Sequence, residues 1–185
     1  MAAKIEPLMT VDDLDAMPED GNRYEVIEGE LFGCRAPGLA HQIVSGNIFA
    51  NFWNYLSSNP IGRIIATPGL VFSLYSGVIP DLVFYTHKRG EEIIKGERLI
   101  AAPDIVIEIL SPGRENVSRD RVAKRQLYAK HGVSEYWIVD SENRSVEIYR
   151  LAGNSLELAK MLRHGDEISS PLLPEFSCSL SKIFE

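Results

Sequence analysis

The sequence predicts an α/β sandwich of the α+β kind, a mixed β-sheet flanked by helices, in one domain spanning residues 1–185. Three features predict it. DIVIEILSP (104–112) is apolar on both faces, as a strand inside a sheet must be. Alternating runs of strand length lie before and after it. Two longer segments with apolar residues at helical spacing separate the strand groups.

The elements follow in order. MTVDDLDAMP reads as a short first helix: Thr10 caps it, Asp13 stands at the third helical position, Met9 can staple onto Leu14, and Pro18 stops it. RYEVIEGELFG alternates as a hairpin with Glu28-Gly29 at its turn. In AHQIVSGNIFANFWNYLSSNP, Val44, Ile48, Phe52 and Tyr55 form one helical face. GRIIATP, LVFSLYS and PDLVFYTH read as strands, and a charged loop then leads to DIVIEILSP. NVSRDRVAKRQLYAKHG is the second long helix. Ser118 is its expected cap, Val117 can staple onto Val122, and Gly132 suits the left-handed position at its end. SEYWIVD and SVEIYRL pair across SENR, and LELAKML adds a strand. Leu172, Leu173, Phe176, Leu180 and Phe184 pack the tail onto the body.

Composition narrows the function. Of the residues, 45% are hydrophobic and 24% charged, ordinary values for a globular protein. No apolar run has the length of a bilayer span, and MAAKIEP lacks the core of a signal peptide. Cys34 and Cys178 have no metal-ligand spacing, so a reducing cytoplasm is the expected location. A net charge of −7 argues against non-specific coating of nucleic acid. Within 119–131, however, Arg119, Arg121, Lys124, Arg125 and Lys130 face Asp120 alone. That run is either a solvated helix face or a nucleic-acid footprint.

Glu108 sits in the middle of the apolar strand, where a lone carboxylate costs several kcal/mol. Asp104 shares its face but lies about 13 Å away along the strand. Asp81, in IPDLVFY, opens the preceding strand. If the two strands pair, their backbones lie about 4.8 Å apart and both carboxylates can converge on one hard divalent cation. The alternative is that Glu108 pairs with a buried Arg or Lys while Asp81 caps a turn. On the following helix Asp120, Lys124 and Tyr128 share a face. Lys124 can be aimed back at the carboxylates to stabilise charge on a phosphate, or it forms an ordinary surface pair with Asp120.

A PD dipeptide followed 27 residues later by a Glu in an apolar strand resembles the PD-(D/E)xK nuclease fold. The chain is more closely similar to the Uma2 family of restriction-endonuclease-like proteins. MTVDDL, RYEVIEGEL, His41, IPDLVFY, PDIVIEILSPG, the lysine and tyrosine of KRQLYAKHGV, and EYWIVD match in the family's order over nearly the whole chain. The resemblance implies a restriction-endonuclease-like core and Mg²⁺- or Mn²⁺-dependent hydrolysis of phosphodiester bonds in DNA. Asp81 and Glu108 would be metal ligands, with the Ile109 carbonyl as a third. Arg119, Arg121 and Arg125 would lie near the phosphates.

One position departs from the fold. Its usual lysine falls at 110, where this chain has Leu110, and the resemblance moves that function to Lys124. If Lys124 does not reach, the protein is a non-catalytic module that binds DNA or protein. The first core helix offers His41 where the fold often supplies an acid, so His41 is either a ligand or a hydrogen-bonded structural residue. Glu25 or Glu28 would supply the missing carboxylate. Their odd spacing lets only one face the site, and Glu25 fits the family pattern better. His41, Asp120 and Tyr128 are expected to support the ligands from behind. A homodimer is expected from the resemblance, since two sites suit the two strands of a duplex. Tyr136 and Trp137 read as packing residues, and Ser111 has no acyl-hydrolase context.

Overall fold

The structure is a computed structural model describing residues 8–185, apart from the side chains of residues 114 and 115. The MAAKIEP stretch lies outside the described residues. A 3₁₀ turn, Asp12–Ala16, leads into β1 (Arg23–Ile27), β2 (Glu30–Cys34) and α1 (Leu39–Ser58). Then come β3 (Gly62–Ala66), β4 (Leu70–Ser73), β5 (Ser76–Val78), β6 (Leu82–Thr86), α2 (His87–Ile93), β7 (Ile94–Lys95), β8 (Arg98–Leu99) and β9 (Ile105–Ile109). A continuous helical stretch consists of α3 (Arg114–Ser118), a π-helical segment (Arg119–Lys124) and α4 (Arg125–His131). β10 (Glu135–Asp140), β11 (Ser145–Ala152), β12 (Ser155–Leu162), β13 (Glu167–Ser170), β14 (Leu173–Ser179) and α5 (Ser181–Phe184) complete the chain.

The main sheet runs β12-β11-β10-β9-β6-β3, mixed as expected, with β9 and β10 parallel and its other neighbours antiparallel. A second sheet, β2-β1-β5-β4-β8-β7, lies to one side, and β13 pairs with β14. Strand β9 is central because it is apolar on both faces. Ile105, Ile107 and Ile109 pack on Val44, Ile48 and Phe52 of α1. Val106 and Leu110 face the opposite core, with Leu127 and Tyr128 of α4 and with Ile27 and Leu70 of the second sheet. By period-two alternation Glu108 belongs to this second face.

Local chemistry sets the boundaries. Thr10 and Asp13 exchange hydrogen bonds: the Asp13 carboxylate accepts from Thr10 N–H at 2.7 Å, and Thr10 Oγ1 accepts from Asp13 N–H at 3.3 Å. The β1–β2 turn holds Glu28 and Gly29 at φ 51° and 85°, and Gly132 ends α4 at φ 84°. Three expectations need correction. The helix starts at Arg114, so Ser118 lies inside it with no side-chain cap bond, and the Val117–Val122 staple has no terminus to hold. Residues His87–Ile93 form α2 rather than a loop, because Thr86 Oγ1 accepts from Arg89 N–H and caps it. The tail contains the β13–β14 hairpin as well as the expected apolar packing.

Candidate active site

Strands β6 and β9 pair with Leu82 opposite Ile107. One further step along that register sets Asp81 against Glu108, on the face turned toward α4. Asp81 precedes β6, so its carboxylate is free to turn back across the strand end. Its Oδ2 accepts a hydrogen bond from Ile109 N–H at 2.8 Å and lies 3.1 Å from His41 Nε2 in the first turn of α1. Asp81 thus does cap backbone, while its second oxygen remains for other partners.

The counter-charge of Glu108 is Lys124. Its ammonium nitrogen is 2.9 Å from Glu108 Oε1 and 2.9 Å from Glu25 Oε1, and all three side chains are buried. The Tyr128 hydroxyl donates to the same Glu108 oxygen at 2.7 Å. Asp120 completes the group: its Oδ1 is 3.9 Å from Lys124 Nζ and accepts from Arg119 Nε at 3.0 Å. Asp120, Lys124 and Tyr128, four residues apart, are all buried on one face of this helical stretch. The Tyr136 hydroxyl donates to the Asp120 carbonyl at 3.0 Å and ties this segment to β10.

These groups line one cleft of about 40 Å³, enough for an ion with a water or two. Asp81, Glu108, Lys124, Glu25, His41 and Asp120 all face it, as do Arg119 and Ile109. Glu25 is therefore the hairpin acid of the site, and Glu28 is not. Glu28 sits at the exposed turn, paired with Lys130 at 2.9 Å. Arg121 and Arg125 are not at the cleft. Arg121 pairs with Glu147 at 2.5 Å, and Arg125 lies 5.0 Å over the Tyr149 ring, both on β11. Of the three arginines expected near the phosphates, only Arg119 lines the cleft, because Glu147 holds Arg121 and Arg125 lies over the Tyr149 ring.

Residues Arg23, Arg35 and Cys34 line the cleft and escaped the sequence reading. Arg23 carried a usable signal, being two residues before Glu25 on the same strand face. Cys34 adjoins the Arg119 guanidinium, and burial raises its thiol pKa.

The cleft's inner layer holds four carboxylates (Glu25, Asp81, Glu108 and Asp120) against two cations, Arg119 and Lys124. Burial pushes Glu108 up to about 8; Lys124 opposes the shift and Asp81 reinforces it. Burial also raises Asp120. For Lys124, burial acts downward but is outweighed by Glu108 and Glu25, so the ammonium is held well above its ordinary range. Glu25 Oε2 and His41 Nδ1 are buried without hydrogen-bond partners. Excess negative charge and an orphaned carboxylate oxygen suit a hard divalent cation. Among the described residues no three His, Cys, Asp or Glu side chains already converge as a cage. Two carboxylates completed by backbone and solvent would be a set that Mg²⁺ accepts.

The profile of a family, Uma2, described as "Putative restriction endonuclease", matches residues 11–181. The chain belongs to that family. A crystal structure of "a putative nuclease belonging to DUF820" from Anabaena variabilis ATCC 29413 is 20% identical with a TM-score of 0.76, covering 95% of this chain and 97% of that one. This Uma2 chain therefore shares that protein's fold. A weaker likeness, to the type IIG restriction endonuclease BpuSI, has 14% identity and a TM-score of 0.42, covering 78% of this chain and 15% of that one. No curated protein matches. Among the described residues, no helix is long and apolar enough to cross a membrane.

Proposed function

We propose that this Uma2 protein is a metal-dependent endonuclease that hydrolyses phosphodiester bonds in DNA. The observation that carries the reading is Lys124 held between Glu108 and Glu25 in the cleft it shares with Asp81. The ammonium supplies beside Glu108 a positive charge that Leu110 cannot, which supports the reading despite the missing lysine.

Asp81, Glu108 and the Ile109 carbonyl would hold Mg²⁺ or Mn²⁺, which when bound supplies Lewis-acid polarisation of the phosphoryl group and a more acidic water. The chain's own residues do the rest. His41 and Ile109 N–H fix the Asp81 carboxylate. Tyr128 fixes Glu108. Lys124 is charged throughout the working pH range and complements negative charge growing on the phosphate. Glu25 and Asp120 keep that ammonium oriented, and Arg119, anchored by Asp120, presents a second cation at the cleft floor.

The test is cleavage of plasmid and linear duplex DNA by the purified protein with Mg²⁺, with Mn²⁺ and with EDTA. Cleavage that requires metal and disappears in Asp81→Ala and Glu108→Ala supports the reading. Equal cleavage by both folded variants ends it, as does an absence of cleavage with either metal.

A further inference from the structure

The cations of the cleft fall into two layers. Arg119 and Lys124 are buried and committed to Asp120, Glu25 and Glu108. Arg23 is half-buried and Arg35 exposed, and neither forms an ion pair among the described residues. Both stand at the open end of the β1–β2 hairpin, where Arg23 pairs with Cys34 in the ladder and Arg35 directly follows β2. The opposite end of the hairpin is anchored elsewhere: Glu28 binds Lys130, and Gly29 N–H donates to the Tyr75 carbonyl at 2.8 Å.

The helix that looked basic in sequence has no such freedom. Arg121 is bound to Glu147 and lies 3.7 Å from Asp140, while the Tyr149 hydroxyl donates to the other Glu147 oxygen. Arg125 lies over Tyr149. A cleft of about 40 Å³ also cannot swallow a nucleotide, so the polymer must lie across its mouth. Arginine at such a mouth suits phosphate oxygens, which its planar fork meets two at a time.

We propose that Arg23 and Arg35 form a lip that grips the backbone phosphates of duplex DNA beside the bond to be cut. The inference rests on the endonuclease reading for its ligand, but binding can be measured apart from cleavage. The hairpin, rather than Arg121 and Arg125 of the α3–α4 stretch, then grips the backbone beside the cleft.

The experiment is fluorescence anisotropy of a labelled random-sequence duplex with the full chain in Ca²⁺, titrated across salt concentrations. The variants are Arg23→Ala, Arg35→Ala, the double variant, Arg35→Glu and Arg121→Ala. Each lost phosphate contact should make the slope of log affinity against log salt shallower by about one, and the double variant by about two. Arg121→Ala should keep the wild-type slope. Arg35→Glu, at an exposed position, tests the lip even if the double variant fails to fold.

A wild-type slope in folded Arg35→Glu and Arg23→Ala overturns the lip, as does wild-type protein that binds no duplex at low salt. Cleavage assays on the same preparations separate the two ideas. Metal-dependent cutting with unchanged slopes ends the lip and spares the nuclease. Lip-dependent binding without cutting by either metal ends the nuclease and leaves the lip.

Discussion

Lys124 Nζ lies 2.9 Å from Glu108 Oε1, a buried ion pair joining the π-helical segment to the central strand of the sheet. Replacing the ammonium by the apolar chain of Lys124→Met leaves Glu25, Glu108 and Asp120 facing one another. The expected cost is about 3–5 kcal/mol in urea unfolding, with complete loss of cleavage. Lys124→Arg should not restore activity at temperatures where it is folded, because a planar fork cannot occupy the position of a compact ammonium between two carboxylates. Wild-type stability in the methionine variant would show that the pair does no net work in the fold.

Stability should fall as pH rises from about 5 to about 8. Glu108 holds its proton more tightly in the folded protein than in the unfolded chain, with its folded value near 8. Folding therefore takes up a proton across that window, and the loss has a limiting slope of about 1.4 kcal/mol per pH unit. Asp120, also raised, adds in the same direction. Lys124, raised from an already basic value, stays charged in both states there and contributes no slope. Glu108→Gln should flatten the decline in metal-free thermal melts. Mg²⁺ should oppose it, since the cation binds the ionised acid. A flat wild-type profile would contradict the burial argument.

Metal affinity should respond to His41. The imidazole holds Asp81 Oδ2 at 3.1 Å. Deleting it in His41→Ala should weaken Mn²⁺ binding about 10- to 100-fold in calorimetry, the usual size of an effect exerted through a ligand's supporting hydrogen bond. Asp81→Asn should remove the binding heat altogether while leaving the melt near wild type. Unchanged affinity in both would mean that the cation, if bound, sits elsewhere.

Arg121 should prove structural. Its guanidinium satisfies the buried Glu147 carboxylate at 2.5 Å. Arg121→Ala is expected to cost about 2 kcal/mol by chemical denaturation, with duplex affinity unchanged. A drop in affinity without a drop in stability would return this arginine to the DNA.

Much of the fold was legible in the sequence because its signals are local. The two-sided apolarity of DIVIEIL placed β9 at the centre, and the Glu28-Gly29 turn fixed the hairpin. Helix α2 was hidden because its capping residue, Thr86, belongs to the preceding strand pattern and its own residues are mostly charged. The π-helical segment was hidden because residues 120, 124 and 128 share a stripe in a regular helix too. At the site, Asp81, Glu108 and Lys124 were readable as candidates, but the pairing of Lys124 with Glu25 spans 99 residues and has no periodic signature. The placement of Arg121 depended on Glu147 and that of Arg125 on Tyr149, both on β11, a strand with no periodic link to the helix.

The π-helical segment gives the cleft a tolerance to chain length that substitution does not reach. Its wider winding takes up one residue more than a regular helix would over the same rise. A descendant one residue shorter between Asp120 and Lys124 would wind regularly, with the residues on either side keeping the faces they present now. The charge constellation would outlast the lost codon, and every strand of the sheet would stay in place.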